Sequence, residues 1–477
     1  MRGTASAGER FRYYRPAVLY SISLFVLTAA VWAAHALTRP AEPPSVVLIV
    51  VDSLRADHLG LYGYDRPTSP NIDSLGRRGA VFHRAYTAET LSGPAIASVM
   101  TSLYPVTHGV IYNGYQLHED AQTLADLLRT RGFRTAAFVS DELVGDSVGF
   151  HRGFDTFEVS EVPGFPTPDR SMKVETRSFD LARRWLEERR GQRFFLWLHA
   201  QQPHWSYDPI PPFDRRFDPD VPPDFPYRSY LKLKDALAKG GIGARDEERV
   251  VALYDGEIAF VDEQLGAIFH ELAQHERPPL TVLLADHGEL LFEPQNDRRV
   301  GHGGGRYHEA AMRIPLIVVP PQAAAPVTAD VRALVSGIDV LPTILDYVGL
   351  RPPPVVEGRS LRPLIEGGAS THHDAVYAMY LRHGPAEMSL AVRDERYKLV
   401  YHTADGGQDE LYDLLQDPRE QRNIARQLPG ETNRLREQLL VWFASRPARP
   451  PRDHGALRPE VEALLRKAGY LEQDERR

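Results

Sequence analysis

Asp52 follows the apolar run Val46-Val-Leu-Ile-Val-Val51, and Asp286-His287 follow a second such run, Thr281-Val-Leu-Leu-Ala285. Carboxylate and imidazole both bind divalent cations, so these two run ends point to one metal site assembled from distant sequence. A single site requires the two carboxylates within about 8 Å of each other, because metal–oxygen bonds are roughly 2.0–2.6 Å. Asp52 alone reads more readily as a cap in a strand-to-loop turn; Asp286-His287 directly after a strand is harder to assign to a turn. A hydrolase built on such an ion also needs a nucleophile. The segment Ser92-Gly-Pro94-Ala-Ile-Ala-Ser-Val-Met-Thr101 offers one, since Pro94 suits the first turn of a helix and Ser92-Gly93 sit just before it. A hydroxyl there faces the free N–H groups and positive end of the helix, where an anionic ester would bind. Seen in isolation, helix capping by Ser92 or Gly93 is the stronger reading.

Continuous β-branched and Leu-rich runs suit strands buried on both faces of a parallel sheet. Ligand sites in open α/β sheets form where the carboxyl ends of such strands meet. The rest of the chain supplies the elements this requires. Thr123–Arg129 reads as helix and Thr135–Val139 as strand; Ser178–Arg190 reads as helix and Phe194–Leu198 as strand. The clearest helix starts near Asp246, with Val250, Tyr254, Ile258, Val261, Leu265, Ile268 and Leu272 forming one apolar stripe. It leads into Thr281–Ala285, and Pro315–Val319 supplies a further strand. The alternation predicts an α/β fold, a mainly parallel sheet sandwiched by helices. After Pro352-Pro-Pro the pattern changes. Ala375–Tyr380, Leu390–Arg393 and Tyr397–Tyr401 read as a smaller antiparallel sheet, followed by a helix near Glu431–Phe443. The expected organisation is residues 1–38 as an N-terminal segment, 45–352 as the catalytic domain, 353–445 as a C-terminal α+β subdomain, and 446–477 as a charged tail with a helix at Pro459–Ala468.

The composition of the 477-residue chain, 43% hydrophobic and 25% charged, is that of a globular protein. Its net charge of −8 provides no basic surface for nucleic acid. It contains 0 cysteines, which excludes disulfides and thiolate metal sites. From Pro16 to Thr38 there is no charged residue, and Arg2, Arg10, Arg12 and Arg15 precede this stretch. Such a run is long enough to cross a bilayer, with the N-terminus cytoplasmic and the catalytic domain periplasmic or extracellular. Ala34-His35-Ala36 resembles a signal-peptidase site, and cleavage there would give a secreted protein. Residues Thr38–Ser45 then read as a Pro-rich linker.

The chain resembles the sulfatase family of the alkaline-phosphatase-like superfamily. The resemblance runs in order through Val51–Gly63, Pro70–Leu75, Gly79–Phe82, Ser92–Thr101 with Tyr104-Pro105 and His108-Gly109, and Asp286–Glu289. It continues through Gly301–Gly303, Tyr307–Glu309, Arg313–Ile317, Leu341–Leu345, Gly358–Leu361, Glu410–Asp413 and Asp417-Pro418, covering residues 45 to 445. It implies Asp52, Asp286 and His287 as metal ligands and Ser92 as the nucleophile position. His204 resembles the histidine that contacts the ester or leaving group, and His302 the one that protonates the leaving oxygen, although a loop histidine flanked by glycines can also simply be solvated. The implied reaction is hydrolysis of a sulfate ester on a small molecule or glycan.

The departures matter as well. Typical members carry Cys or Ser, then X-Pro-Ser-Arg, and convert the first residue to formylglycine; here Ile96 stands in place of the arginine. The paired aspartates read Asp52-Ser53, and Asp-Asn reads Asp286-His287. Imidazole favours manganese or zinc over calcium. This ligand set resembles phosphonate monoesterases and phosphoglycerol or phosphoethanolamine transferases, so an unmodified Ser92 acting on a phosphodiester or phosphonate is the second reading. A metal-containing pseudoenzyme that binds sulfated or phosphorylated glycans is the third.

Overall fold

The computed structural model describes residues 42–452, apart from 161–175, 295–297, 322–326, 328, 386 and 404–407. The main sheet uses, in chain order, β1 (Val46–Val51), β2 (Ala80–Phe82), β3 (Arg134–Val139), β4 (Thr156–Val159), β5 (Phe194–Ala200), β6 (Leu280–Ala285), β7 (Leu316–Val319) and β8 (Asp330–Val331). Their spatial order is β8-β2-β7-β6-β1-β5-β3-β4. β1 pairs parallel with β5 on one side and with β6 on the other. Every residue of β1, β5 and β6 is buried, the all-round apolar burial that their sequences require. The run at Pro315–Val319 does form a strand, but β7 is antiparallel to β6 and β2 and is the one reversed strand of the eight.

Two groups of helices cover the sheet. In one, α5 (Ala244–Leu272) packs with α1 (Pro70–Gly76) and α4 (Arg177–Glu188); in the other, α2 (Ser92–Thr101) packs with α3 (Leu124–Arg129) and α6 (Val340–Tyr347). All seven apolar residues of the expected α5 stripe are buried. So are Asp255, Glu257 and Asp262 on the same helix, each with a specific partner. Asp262 accepts the N–H groups of Asn71 (3.0 Å) and Ile72 (2.8 Å) at the start of α1. Asp255 meets His58 at 2.7 Å.

The C-terminal sheet is antiparallel, in the order β9 (Val376–Pro385), β10 (Met388–Arg393), β11 (Tyr397–His402) and β12 (Glu410–Asp413). With α7 (Pro429–Ala444) it forms a second core, where Leu390, Leu399, Leu411, Leu435 and Leu439 pack with Tyr104, Ile111 and Ile338 of the larger part.

One expectation is corrected. Among the described residues no helix is long and apolar enough to cross a membrane. The run from Pro16 to Thr38 and the motif at Ala34–Ala36 lie outside the described residues, as does the helix expected at Pro459–Ala468. The membrane-anchored placement, with a periplasmic or extracellular catalytic domain, is therefore withdrawn.

Candidate active site

Because Val51 is in register with Ala200 on one side and Ala285 on the other, β1, β5 and β6 end level with one another. Asp52 and Asp286 leave the sheet side by side at this edge, and the backbone N–H of Asp52 still donates to Ala200 O at 2.9 Å. Ser53 then adopts a left-handed conformation, φ 59°, which is uncommon for a residue with a side chain. This turn aims the Ser53 N–H at Asp286 Oδ1 (3.1 Å), while Ser53 Oγ donates to Asp52 Oδ1 (2.9 Å). The His287 N–H donates to the same Asp286 oxygen at 2.8 Å. Gly288 follows because a Cβ there would lie 2.0 Å from Ala310 O.

Ser92 is the first residue of α2, not a residue ahead of it, and Leu91 caps the helix without a side-chain bond. Its Oγ donates to Asp52 Oδ2 at 3.3 Å and lies 3.3 Å from His287 Nε2. The Gly93 N–H is already taken by Asn113 Oδ1 at 2.9 Å, so this amide is not the anion-binding group expected at the helix start. His287 Nδ1–H donates to Gly288 O (2.9 Å), which turns Nε2 toward Asp52 Oδ1 (3.7 Å) and Asp286 Oδ2 (3.4 Å). Asp52, Ser92, Asp286 and His287 are thus brought together. His302 is close by, its ring centroid 4.2 Å from that of His287, and His204 lies 4.9 Å beyond His302. The His302 side chain is only 1% exposed, so it is not a solvated loop histidine, and its Nδ1 meets Glu289 Oε1 at 3.2 Å.

The electrostatics are dominated by buried carboxylates. Burial, then the charges of Asp286 and Asp141, push the Asp52 carboxyl well above the usual range. Burial likewise raises Glu289, and it raises Asp141 to about 7. Among the described residues neither Asp52 nor Asp286 has a lysine or arginine partner, and Asp286 Oδ2 is buried without a hydrogen bond. Oxygens of both carboxylates lie within 4.8 Å of each other and of an imidazole nitrogen of His199, which fits one divalent ion. The His287 Nδ1–carbonyl bond is the kind of support that orients metal-ligating imidazoles. His302 is shifted the other way: burial, with His287, His204 and Arg306 nearby, holds it well below the usual imidazole value.

His199, Glu289 and Asp141 were not assigned roles from the sequence. Each had a signal. His199 ends the apolar run of β5 just as Asp52 ends that of β1, and Asp141 stands two residues beyond β3.

The sulfatase family model matches residues 44–350, and the model for the C-terminal part of N-sulphoglucosamine sulphohydrolase matches residues 305–441. The chain belongs to the sulfatase family. It is similar to an N-acetylglucosamine-6-O-sulfatase of Bacteroides thetaiotaomicron, 23% identical over 80% of this chain and 82% of the relative. It is also similar to the multifunctional alkaline phosphatase superfamily protein PehA of Trinickia caryophylli, 26% identical over 80% of this chain and 91% of the relative. Among solved structures, the phosphonate monoester hydrolase of Agrobacterium radiobacter shares its fold with a TM-score of 0.70 at 23% identity, covering 84% of this chain and 95% of that one.

Proposed function

We propose that this sulfatase-family chain is a metal-dependent hydrolase of sulfate esters in which the Ser92 hydroxyl attacks sulfur. The observation that carries the reading is the position of Ser92 Oγ, 3.3 Å from both Asp52 Oδ2 and His287 Nε2 at the carboxyl ends of the central strands. A divalent ion held by Asp52, Asp286 and His287 would lower the pKa of a nearby hydroxyl and offset charge on the sulfuryl oxygens. Manganese or zinc suits the imidazole better than calcium does.

Ser92 Oγ bonds to sulfur as the S–O bond to the alcohol breaks. Ser92 gives up its proton as it attacks, and we assign His302 to return one to the departing alkoxide, so the step is neutral in protons overall. Water then attacks the sulfoserine, releasing sulfate and restoring the hydroxyl. His204, its ring centroid 4.9 Å from that of His302, is the residue we assign to contact the ester or leaving group. The sulfated glucosamine derivatives on which relatives act make a sulfated sugar or glycan the substrate class to test first.

Direct use of serine is favoured over formylglycine by Ile96. It is fully buried in the main core, so that position presents no guanidinium to an aldehyde hydrate. A second reading, hydrolysis of a phosphodiester or phosphonate monoester, is favoured by Ser53 in place of a carboxylate and by the His287 imidazole, a ligand set that resembles that of phosphonate monoesterases. Turnover of aryl and sugar sulfates against phosphodiesters and phosphonates, with Ser92→Ala as control, tests both. Mass spectrometry of the Ser92 peptide separates the mechanisms, since formylglycine would make it about 2 Da lighter and serine catalysis would leave it unchanged at rest.

A further inference from the structure

The pleat of the central sheet fixes which side chains share a face with Asp52 and Asp286. His199 of β5 is in register with Val50 of β1, which is in turn in register with Leu284 of β6. Side chains alternate along a strand, and residues directly opposite on neighbouring strands point to the same face. Asp52 is two residues beyond Val50, and Asp286 two beyond Leu284. His199 therefore lies on their face, one level below the two carboxylates.

Its surroundings are unusual for a core histidine. His199 is 0% exposed, and among the described residues neither ring nitrogen has a hydrogen-bond partner. Leaving a buried polar group unsatisfied costs its full desolvation, so such a group needs an explanation. One nitrogen lies within 4.8 Å of an oxygen of Asp52 and an oxygen of Asp286. Ligands about 2.1 Å from a common ion sit roughly 3–4 Å apart, so this spacing needs little adjustment. Ser53, where the family pattern has a second aspartate, gives its hydroxyl to Asp52 and leaves room in the ligand count for another donor.

We propose that His199 is a further ligand of the divalent ion held by Asp52, Asp286 and His287, reaching it from the strand on the opposite side of β1. This rests on the metal-site reading above and deepens it: two imidazoles and two carboxylates form a set suited to zinc or manganese. The polarity of β5 then has a purpose, since a strand otherwise apolar from Phe194 to Leu198 ends in a donor aimed at the ion.

The test is zinc-edge X-ray absorption on the zinc-loaded full chain, counting imidazoles, together with zinc affinity by chelator competition. The expected result is two imidazoles in the wild type, one in His287→Gln and one in His199→Gln, with zinc bound at least tenfold more weakly in His199→Gln. One imidazole in the wild type and none in His287→Gln would overturn the proposal while leaving the metal site standing. That comparison needs no change at His199, so it holds even if His199→Gln fails to fold. Wild-type affinity retained in a folded His199→Gln would also overturn it. Failure of the wild type to bind stoichiometric zinc or manganese would remove the metal-site reading itself, and this proposal with it.

Discussion

Buried charge is handled in opposite ways at the carboxyl end of the main sheet and at the seam with the C-terminal sheet. At the seam, Lys398, Glu420 and Asp339 are buried charges with partners inside the protein. The Lys398 side chain, 0% exposed, pairs with Glu309 at 3.2 Å and with Glu420, which also accepts the Glu309 N–H. Burial acts to raise the Glu420 carboxyl, but Lys398 and His308 outweigh it and hold it below the usual range. Asp339 is equally well served, receiving the Ser336 N–H (2.8 Å), the Arg359 N–H (2.8 Å) and His373 Nε2 (2.9 Å). At the sheet end, Asp52 and Asp286 lie together with hydrogen bonds but, among the described residues, no lysine or arginine partner. The difference separates carboxylates paired with cationic side chains from carboxylates grouped with one another.

The largest effect that would break this comparison lies in activity. Ser92→Ala should lower kcat/KM by at least about 10³-fold, as expected for loss of a covalent nucleophile, with circular dichroism and Tm unchanged. Full activity in that variant would show the nucleophile to be misassigned. At the seam the effect should appear in stability. Lys398→Met leaves Glu420 buried without its cation and should destabilise by about 3–5 kcal/mol in chemical denaturation, with activity per folded molecule retained.

Glu89 sharpens the contrast through pH. It is fully buried, accepts the Thr90 N–H (2.8 Å) and the Tyr307 hydroxyl (2.8 Å), and burial pushes its carboxyl up from 4.5 to about 8. The folded state therefore holds this proton where the unfolded chain has lost it. The resulting stability is fully present below about pH 4.5 and is lost as pH rises toward about 8. Glu89→Gln should flatten the pH dependence of Tm across that window; an unchanged slope would mean that Glu89 is ionised throughout. The smallest effect has the opposite sign to the usual core substitution. In metal-free protein, Asp52→Asn removes one of two crowded buried charges and should raise stability by about 1 kcal/mol in denaturant titrations.

The sequence reading reached furthest where an apolar run ends in a chemically distinctive residue. Asp52, Asp286 and His287 were legible for that reason, and Ser92 because Pro94 marks a helix start. His199 ends a run just as clearly, but a single histidine after Leu198 carries no second ligand beside it. Its meaning comes from the register of β5 with β1, which spacing along the chain does not encode. The reversal of β7 was hidden for the same reason, since strand direction depends on the connection and not on the apolar run. On α5, hydrophobic periodicity located the buried stripe but was blind to Asp255 and Asp262, whose burial depends on partners nearly two hundred residues earlier.

The claim that the sheet-end carboxylates exist to hold a cation is tested most directly by elemental analysis of protein purified without added metal, beside its Asp286→Asn variant. The account predicts about one manganese or zinc ion per wild-type chain and almost none in the variant, with chelation abolishing sulfate-ester turnover. Wild-type protein free of metal that turns over sulfate esters at full rate in chelator would contradict it.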